Sequence, residues 1–134
     1  MSDTFSIDVT LAGTHDEVVE KVTAALAAEG FGVLTTVDVK ATLKKKIDVD
    51  FRPYTILGAC NPGLAHQALS ARADIGLMLP CNVTVEDNGD GNCTVRFIDP
   101  MAMMTFASLG QNEILKSLGA QAGEKISRAA KSLA

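Results

Sequence analysis

A turn-rich segment between two stretches of alternating apolar residues constrains the fold most. Residues 87–92 read Asp-Asn-Gly-Asp-Gly-Asn, and these residue types tolerate positive φ. Alternation resumes from Cys93 to Ile98, so the two stretches form a predicted hairpin and part of the sheet is antiparallel. Because Pro80 cannot donate to a strand ladder, it marks a sheet edge, a bulge or the start of the first strand. The residues on the apolar face of that first strand are Leu77, Leu79, Cys81, Val83 and Val85.

Strand and helix signals alternate through the rest of the chain and predict an α+β fold. It has a single mixed or antiparallel sheet of about five strands, helices packed on one face, and a long C-terminal helix. The unbroken apolar run Tyr54–Cys60 predicts a strand buried on both faces. In the last helix, the predicted apolar stripe consists of Ile114, Leu118, Ala122, Ile126 and Leu133. The other predicted strands cover residues 5–11 and 31–39, and the other helices start at Thr14, Asp38, Asn61-Pro62 and Asp99-Pro100.

Length and composition set limits on partners and compartment. The 134 residues form one predicted domain, 1–134, because two halves would each be too small to bury a good core. With 12 basic and 16 acidic residues, the net charge of 12 − 16 = −4 disfavours nucleic acid and anionic membranes as partners. No apolar run reaches the roughly 18 residues that cross a bilayer. Three cysteines, an odd number, and an N-terminus without an export signal predict reduced thiols in the cytoplasm.

Several segments together carry a family resemblance. Residues 52–62 read RPYTILGACNP, residues 64–69 read LAHQAL, residues 76–83 read GLMLPCNV, and residues 98–101 read IDPM. The chain resembles domain-of-unknown-function family 302 over about residues 31–130. The resemblance implies a compact α+β domain of bacteria or archaea that forms a homodimer. It implies no activity and no cofactor.

Two hypotheses about function follow from the residues. The first is a non-enzymatic, dimeric domain that binds a small molecule between helix and sheet or is purely structural, since no catalytic motif is present. Whether the chain is an enzyme stays open, with the non-catalytic interpretation favoured. Dimerisation is expected from the resemblance and from the Pro80-bearing strand as a possible sheet edge. The polar groups that line the predicted ligand pocket are Arg52, Tyr54, Asn61, His66 and Asn82.

The second hypothesis is a thiol or soft-metal site made of Cys60, His66 and Cys81, for redox chemistry or metal handling. Cys60 directly precedes a predicted helix, where free N–H groups stabilise a thiolate. Thiolate and imidazole are ligands suited to zinc or copper. The simpler interpretation places both cysteines in the core, because free cysteine is commonly a small buried hydrophobe.

Three further features have a structural and a functional interpretation. The methionines Met101, Met103 and Met104 either bind soft Cu(I) or, as is more common, fill gaps in the core. Gly119 and Gly123, four residues apart on the last helix, allow another backbone to approach closely. His15 lies in a helix-capping sequence, Thr14 to Glu17, and is expected to be exposed.

Overall fold

Five strands form one open, fully antiparallel sheet in the order β1-β5-β4-β3-β2. The computed structural model describes residues 5–134. The prediction about an export signal refers to residues 1–4, which lie outside the described part. The predicted α+β class, the sheet of about five strands and the long C-terminal helix are confirmed. The strands are β1 (Ser6–Ala12), β2 (Gly32–Asp38), β3 (Tyr54–Cys60), β4 (Cys81–Asp87) and β5 (Asn92–Ile98).

The helices begin where the sequence supplies a side-chain cap. Thr14 and Glu17 form the predicted capping box, and Asn61 and Asp99 each cap a helix that starts at the following proline. The last helix starts later than predicted because Asn112 caps it. No helix within residues 5–134 is both long and apolar enough to cross a membrane. The helices are α1 (His15–Ala28), α2 (Val39–Ile47), α3 (Pro62–Ala71), α4 (Pro100–Met103) and α5 (Glu113–Leu133).

Buried side chains form two separate hydrophobic clusters. The main cluster lies between the sheet and helices α1 and α5, and includes Leu57, Val83 and Phe97 from three neighbouring strands. The second cluster lies between α3 and the start of α5, beside the end of the sheet. The helix residues of the main cluster are Val18, Val22, Leu26, Ile126, Ala129 and Ala130. The second cluster consists of Ala68, Ile75, Leu109, Leu115 and Leu118.

The predicted strand from Leu77 to Val85 is wrong over its first part. Residues Ala73–Met78 form a 3₁₀ helix, and Leu77 is 89% exposed instead of facing the core. The strand begins at Cys81, directly after Pro80, so of the three roles predicted for this proline the strand start is correct. It does not mark a sheet edge, because β4 pairs with β3 on one side and with β5 on the other.

Two burial predictions are also wrong. Strand β3 is fully buried on one face, at Thr55, Leu57 and Ala59; on its other face Gly58 is buried, but Tyr54 and Ile56 are only half-buried. In α5, Ile114 is 54% exposed, whereas its neighbour Leu115 is the residue of the first turn that is buried in the second cluster.

Candidate functional site

A small apolar cavity lies at the junction of the two hydrophobic clusters. Its volume is about 70 Å³. Phe31, Ala59 and Cys81 of the main cluster form one side, and the second cluster forms the other. Both clusters contain residues of α5, the main cluster from its C-terminal part and the second from its start, and the cavity lies where the two clusters meet. The second cluster contributes Ala68, Ile75, Leu115 and Leu118 to the wall.

Two of the three cysteines border this cavity. Cys60 is the last residue of β3 and is half-buried, and Cys81 is the first residue of β4, only 9% exposed and paired with Ala59. Burial raises the pKa of the Cys81 thiol to about 11, and the negative charge that Cys60 carries when ionised raises it further. All three cysteines are free thiols, and Cys93 lies elsewhere, on β5. The predicted burial of Cys81 in the core is confirmed.

Two methionines complete the sulfur-rich part of the wall. Met103 and Met104 lie at the end of α4 and border the cavity together with Gly119 of α5. A Cβ atom added at Gly119 would lie only 2.8 Å from Cγ of Met104 and 3.5 Å from the backbone oxygen of Pro100, so α4 lies close to α5 at this glycine, as its spacing predicted. Met101 packs instead over Gly123, outside the cavity, and is 45% exposed. The predicted methionine group is therefore divided between two places.

The five predicted ligand-binding residues do not form one site. Asn61 borders the cavity, where its side chain caps α3. His66 is exposed on α3 and is not part of the cavity wall. Asn82 borders a separate groove of about 230 Å³ next to Pro80. Arg52 and Tyr54 lie by the open face of the sheet.

The predicted set of Cys60, His66 and Cys81 is also divided. The two cysteines share the cavity and His66 does not. Within residues 5–134, no three His, Cys, Asp or Glu side chains are grouped so that they could hold a metal ion. Met103 and Met104 border the same cavity as the two cysteines, and sequence reasoning did not connect these residues with one another.

Comparison with known proteins places the chain in a family. The sequence profile described as Domain of unknown function DUF302 matches residues 7–133. The chain belongs to the DUF302 family. Its fold is similar to that of an uncharacterized conserved protein DUF302 from Bacillus stearothermophilus, whose crystal structure aligns with a TM-score of 0.84 and 26% sequence identity over 98% of this chain and 99% of the other. Comparison with curated proteins finds no match.

The DUF302 match is longer than the resemblance suggested. It starts at residue 7 rather than near residue 31, so β1 and α1 belong to the family's domain. This agrees with the packing, because Val18, Val22 and Leu26 of α1 are completely buried in the main cluster. A domain that lacked α1 would expose this face of the sheet.

The open face of the DUF302 sheet carries an ionic network. Glu86 of β4 accepts a hydrogen bond from Nη1 of Arg96 at 2.6 Å and one from Nε of Arg52 at 2.5 Å. Arg52 also stacks on the ring of Phe51, 4.5 Å from its centroid. The hydrogen bonds from Arg96 and Arg52 lower the pKa of the Glu86 carboxyl below its usual value. Arg52, one of the predicted ligand residues, is thus engaged in contacts with Glu86 and Phe51 within the protein.

Replacing this carboxylate is expected to change how stability depends on pH. Because the pKa of Glu86 is lower in the folded protein, its stabilising effect is present above the pKa of the unfolded chain and is lost as the pH falls through the folded-state value. We expect Glu86→Gln to cost about 1 kcal/mol at pH 7, since both arginines are about half exposed. The difference from the parent should shrink as the pH falls below the usual titration range of a glutamate carboxyl, because the folded-state pKa of Glu86 is lowered. Urea unfolding at several pH values measures this, with exposed Glu20→Gln as the control; a constant difference would contradict it.

His15 is partly buried, whereas the sequence analysis expected it to be exposed. Its side chain is 17% exposed, and its Nε2 lies 3.1 Å from Oγ1 of Thr55, which is itself only 6% exposed. The bond joins the start of α1 to the start of strand β3. The capping sequence around His15 is local and carries no information about Thr55, forty residues away.

Proposed function

We propose that this DUF302 chain is a non-catalytic domain that binds a ligand of a few atoms in the cavity between its two hydrophobic clusters. The observation that carries the proposal is the cavity itself, with its size of about 70 Å³ and its sulfur-bearing and aliphatic wall. Organic ligands of drug size occupy roughly 300–1,000 Å³, and an apolar cavity of roughly 150 Å³ holds benzene or xenon. The occupant is therefore smaller than benzene.

The hydroxyl–imidazole pair Thr55 and His15 is consistent with a non-catalytic function, because its hydroxyl is not accessible to a substrate. Thr55 and His15 are within hydrogen-bond distance, as a nucleophile and its base would be. Thr55 is only 6% exposed, however, so a substrate cannot reach its hydroxyl. We assign the pair to the packing of α1 on the sheet.

Xenon tests whether the cavity admits a small ligand. In protein with labelled methionine methyl groups, we expect xenon to shift the NMR signals of Met103 and Met104 in a saturable manner and to leave Met101 unchanged. Gly119→Ala should weaken the effect, because its added methyl group displaces Met104, whereas Gly123→Ala should not. Equal shifts at all three methionines, or none, would contradict the proposal.

The proposal includes a homodimer, and the second copy pairs with strand β2. This strand lies at one edge of the sheet and exposes Leu34 and Val37, at 68% and 43%. An edge strand without lysine or proline is a template for another strand, and a two-fold axis joins two identical strands in antiparallel fashion. The expected partners are thus a second copy and the small ligand, without nucleic acid or membrane. The free thiols suit the cytoplasm.

Sedimentation of the parent and of Leu34→Lys tests the dimer. We expect the parent to be dimeric at tens of micromolar and the variant to be monomeric, since a charge at this position opposes strand pairing. The control is Leu77→Lys, at a residue that is 89% exposed on the 3₁₀ helix, away from β2. A monomeric parent would contradict this part of the proposal.

A further inference from the structure

The wall of the cavity offers few polar side-chain atoms. Among residues 5–134, Asn61 is the one wall residue whose side chain contains nitrogen or oxygen. Its Oδ1 accepts the backbone N–H of Leu64 at 3.2 Å. Its Nδ2 lies beside the chain between α1 and β2, where a Cβ atom added at Gly30 would be 3.0 Å away. Both ends of this amide therefore lie against neighbouring parts of the chain, and the other wall side chains consist of carbon and sulfur.

The backbone around the cavity is hydrogen-bonded within the protein. Ala59 belongs to strand β3, which pairs with β2 on one side and with β4 on the other. The N–H of Leu79 donates to the carbonyl of Gly76 at 3.2 Å, and the carbonyl oxygen of Met104 accepts the N–H of Gly110 at 2.8 Å. These peptide groups are already engaged before any ligand enters.

The character of this wall favours an apolar occupant. Cys81 is a neutral thiol at pH 7, because burial raises its pKa to about 11. The thioethers of Met103 and Met104 are uncharged and polarisable. A buried water molecule needs roughly two to four polar partners, which these side chains do not supply. An apolar molecule needs none, and it provides the dispersion contacts that the wall atoms lack across an empty space.

We propose that the cavity binds one apolar gas molecule of two or three non-hydrogen atoms, such as dioxygen. The inference rests on the proposed ligand-binding function and names the chemical class of its ligand. Benzene, with six carbon atoms, fits an apolar cavity of roughly 150 Å³, so in proportion a cavity of about 70 Å³ holds roughly three non-hydrogen atoms. The ligand is held by dispersion contacts, and none of its bonds changes on binding.

Two ligands of equal size test the polarity of the site. Ethane and methanol each have two non-hydrogen atoms, but methanol loses hydrogen bonds to water when it enters an apolar cavity. In NMR titrations that follow the methyl groups of Met103 and Met104, we expect ethane to bind at least roughly tenfold more tightly than methanol. Cys81→Ser, which places a hydroxyl group in the wall, should reduce this ratio, whereas Cys93→Ser, outside the cavity, should not.

Dioxygen itself serves as a probe, because it is paramagnetic and speeds the relaxation of nearby nuclei. Under oxygen pressure, we expect the relaxation rates of the methyl groups of Met103 and Met104 to rise more than that of Met101. Met101 lies outside the cavity and is 45% exposed, so it reports contact with dioxygen in the solvent. Gly119→Ala should reduce the difference, because its added methyl group displaces Met104.

The outcomes separate this inference from the cavity proposal. Methanol that binds as tightly as ethane, or dioxygen that acts most strongly on Met101, would overturn the inference. If xenon still shifts Met103 and Met104 in that case, the cavity proposal stands and the class of ligand is wrong. If xenon, ethane and dioxygen all leave these two methionines unchanged, both proposals fail. Circular dichroism shows whether each variant is folded, and the comparison of ethane with methanol in the parent protein depends on no variant.

Discussion

Iodoacetamide at pH 8 is expected to modify one thiol of the native protein quickly and two thiols slowly. Cys60 is the fast one, because it is half-buried at the end of β3. Cys81 is 9% exposed, and a thiol with a pKa of about 11 is ionised to about one part in a thousand at pH 8, against about a quarter for an unperturbed thiol. Cys93 is completely buried, and burial raises its pKa as well. The rates should therefore differ by at least about two orders of magnitude.

Intact-mass spectrometry over time separates the thiols by rate. Cys60→Ser should remove the fast reaction and leave the slow ones, whereas Cys93→Ser should leave the fast reaction unchanged. In guanidinium chloride all three cysteines should react at similar rates, because burial is lost. Two fast thiols in the native protein would show that Cys81 is accessible. That result would contradict a cavity closed enough to hold its ligand away from solvent.

Local signals in the sequence predicted most of the secondary structure. Strand β3 has the predicted bounds, and the helices after Thr14, Asn61 and Asp99 begin where their caps lie. Such signals act over a few residues, so they survive in any tertiary context. The failures occur where the outcome depends on distant pairing. The alternation that begins at Leu77 is typical of a strand. Residues 73–78 nevertheless form a 3₁₀ helix, and β4 starts only after Pro80.

The candidate site could be predicted only in part for the same reason. Cys60 and Cys81 were singled out by residue type, and their shared cavity depends on the pairing of β3 with β4, which the sequence alone does not show. His66 has the right chemistry and the right helix, but it lies on the exposed side of that helix. Met103 and Met104 were recognised as possible Cu(I) ligands, but nothing local connects them with the cysteines. Their position follows from the contact of α4 with Gly119.

A methyl group at Gly58 is expected to destabilise the fold by about 2–3 kcal/mol, the upper part of the usual range for overpacking. Gly58 lies in the centre of β3, between Thr35 on β2 and the residues that lead into β4. A Cβ atom there would overlap Oγ1 of Thr35 and lie 2.7 Å from Cγ of Pro80. The threonine can rotate, but the proline ring is rigid and its position fixes the start of β4. We therefore expect Gly58→Ala to shift the strand that carries Cys81.

Gly32→Ala is the matched control, because this glycine also lies in a strand, and a Cβ atom added to it would have no neighbour within 4 Å. We expect its free energy of unfolding to stay within about 0.5 kcal/mol of the parent value. In the double variant Gly58→Ala/Thr35→Ala, the free energy of unfolding should recover only in part. The overlap with Thr35 is removed, but Pro80 still obstructs the methyl group. Full recovery would show that the proline ring moves freely, and the start of β4 would then not be fixed by its packing on Gly58. Urea unfolding of the four proteins decides between these outcomes, and the alkylation rate of Cys81 in Gly58→Ala reports whether the cavity wall moves with the strand.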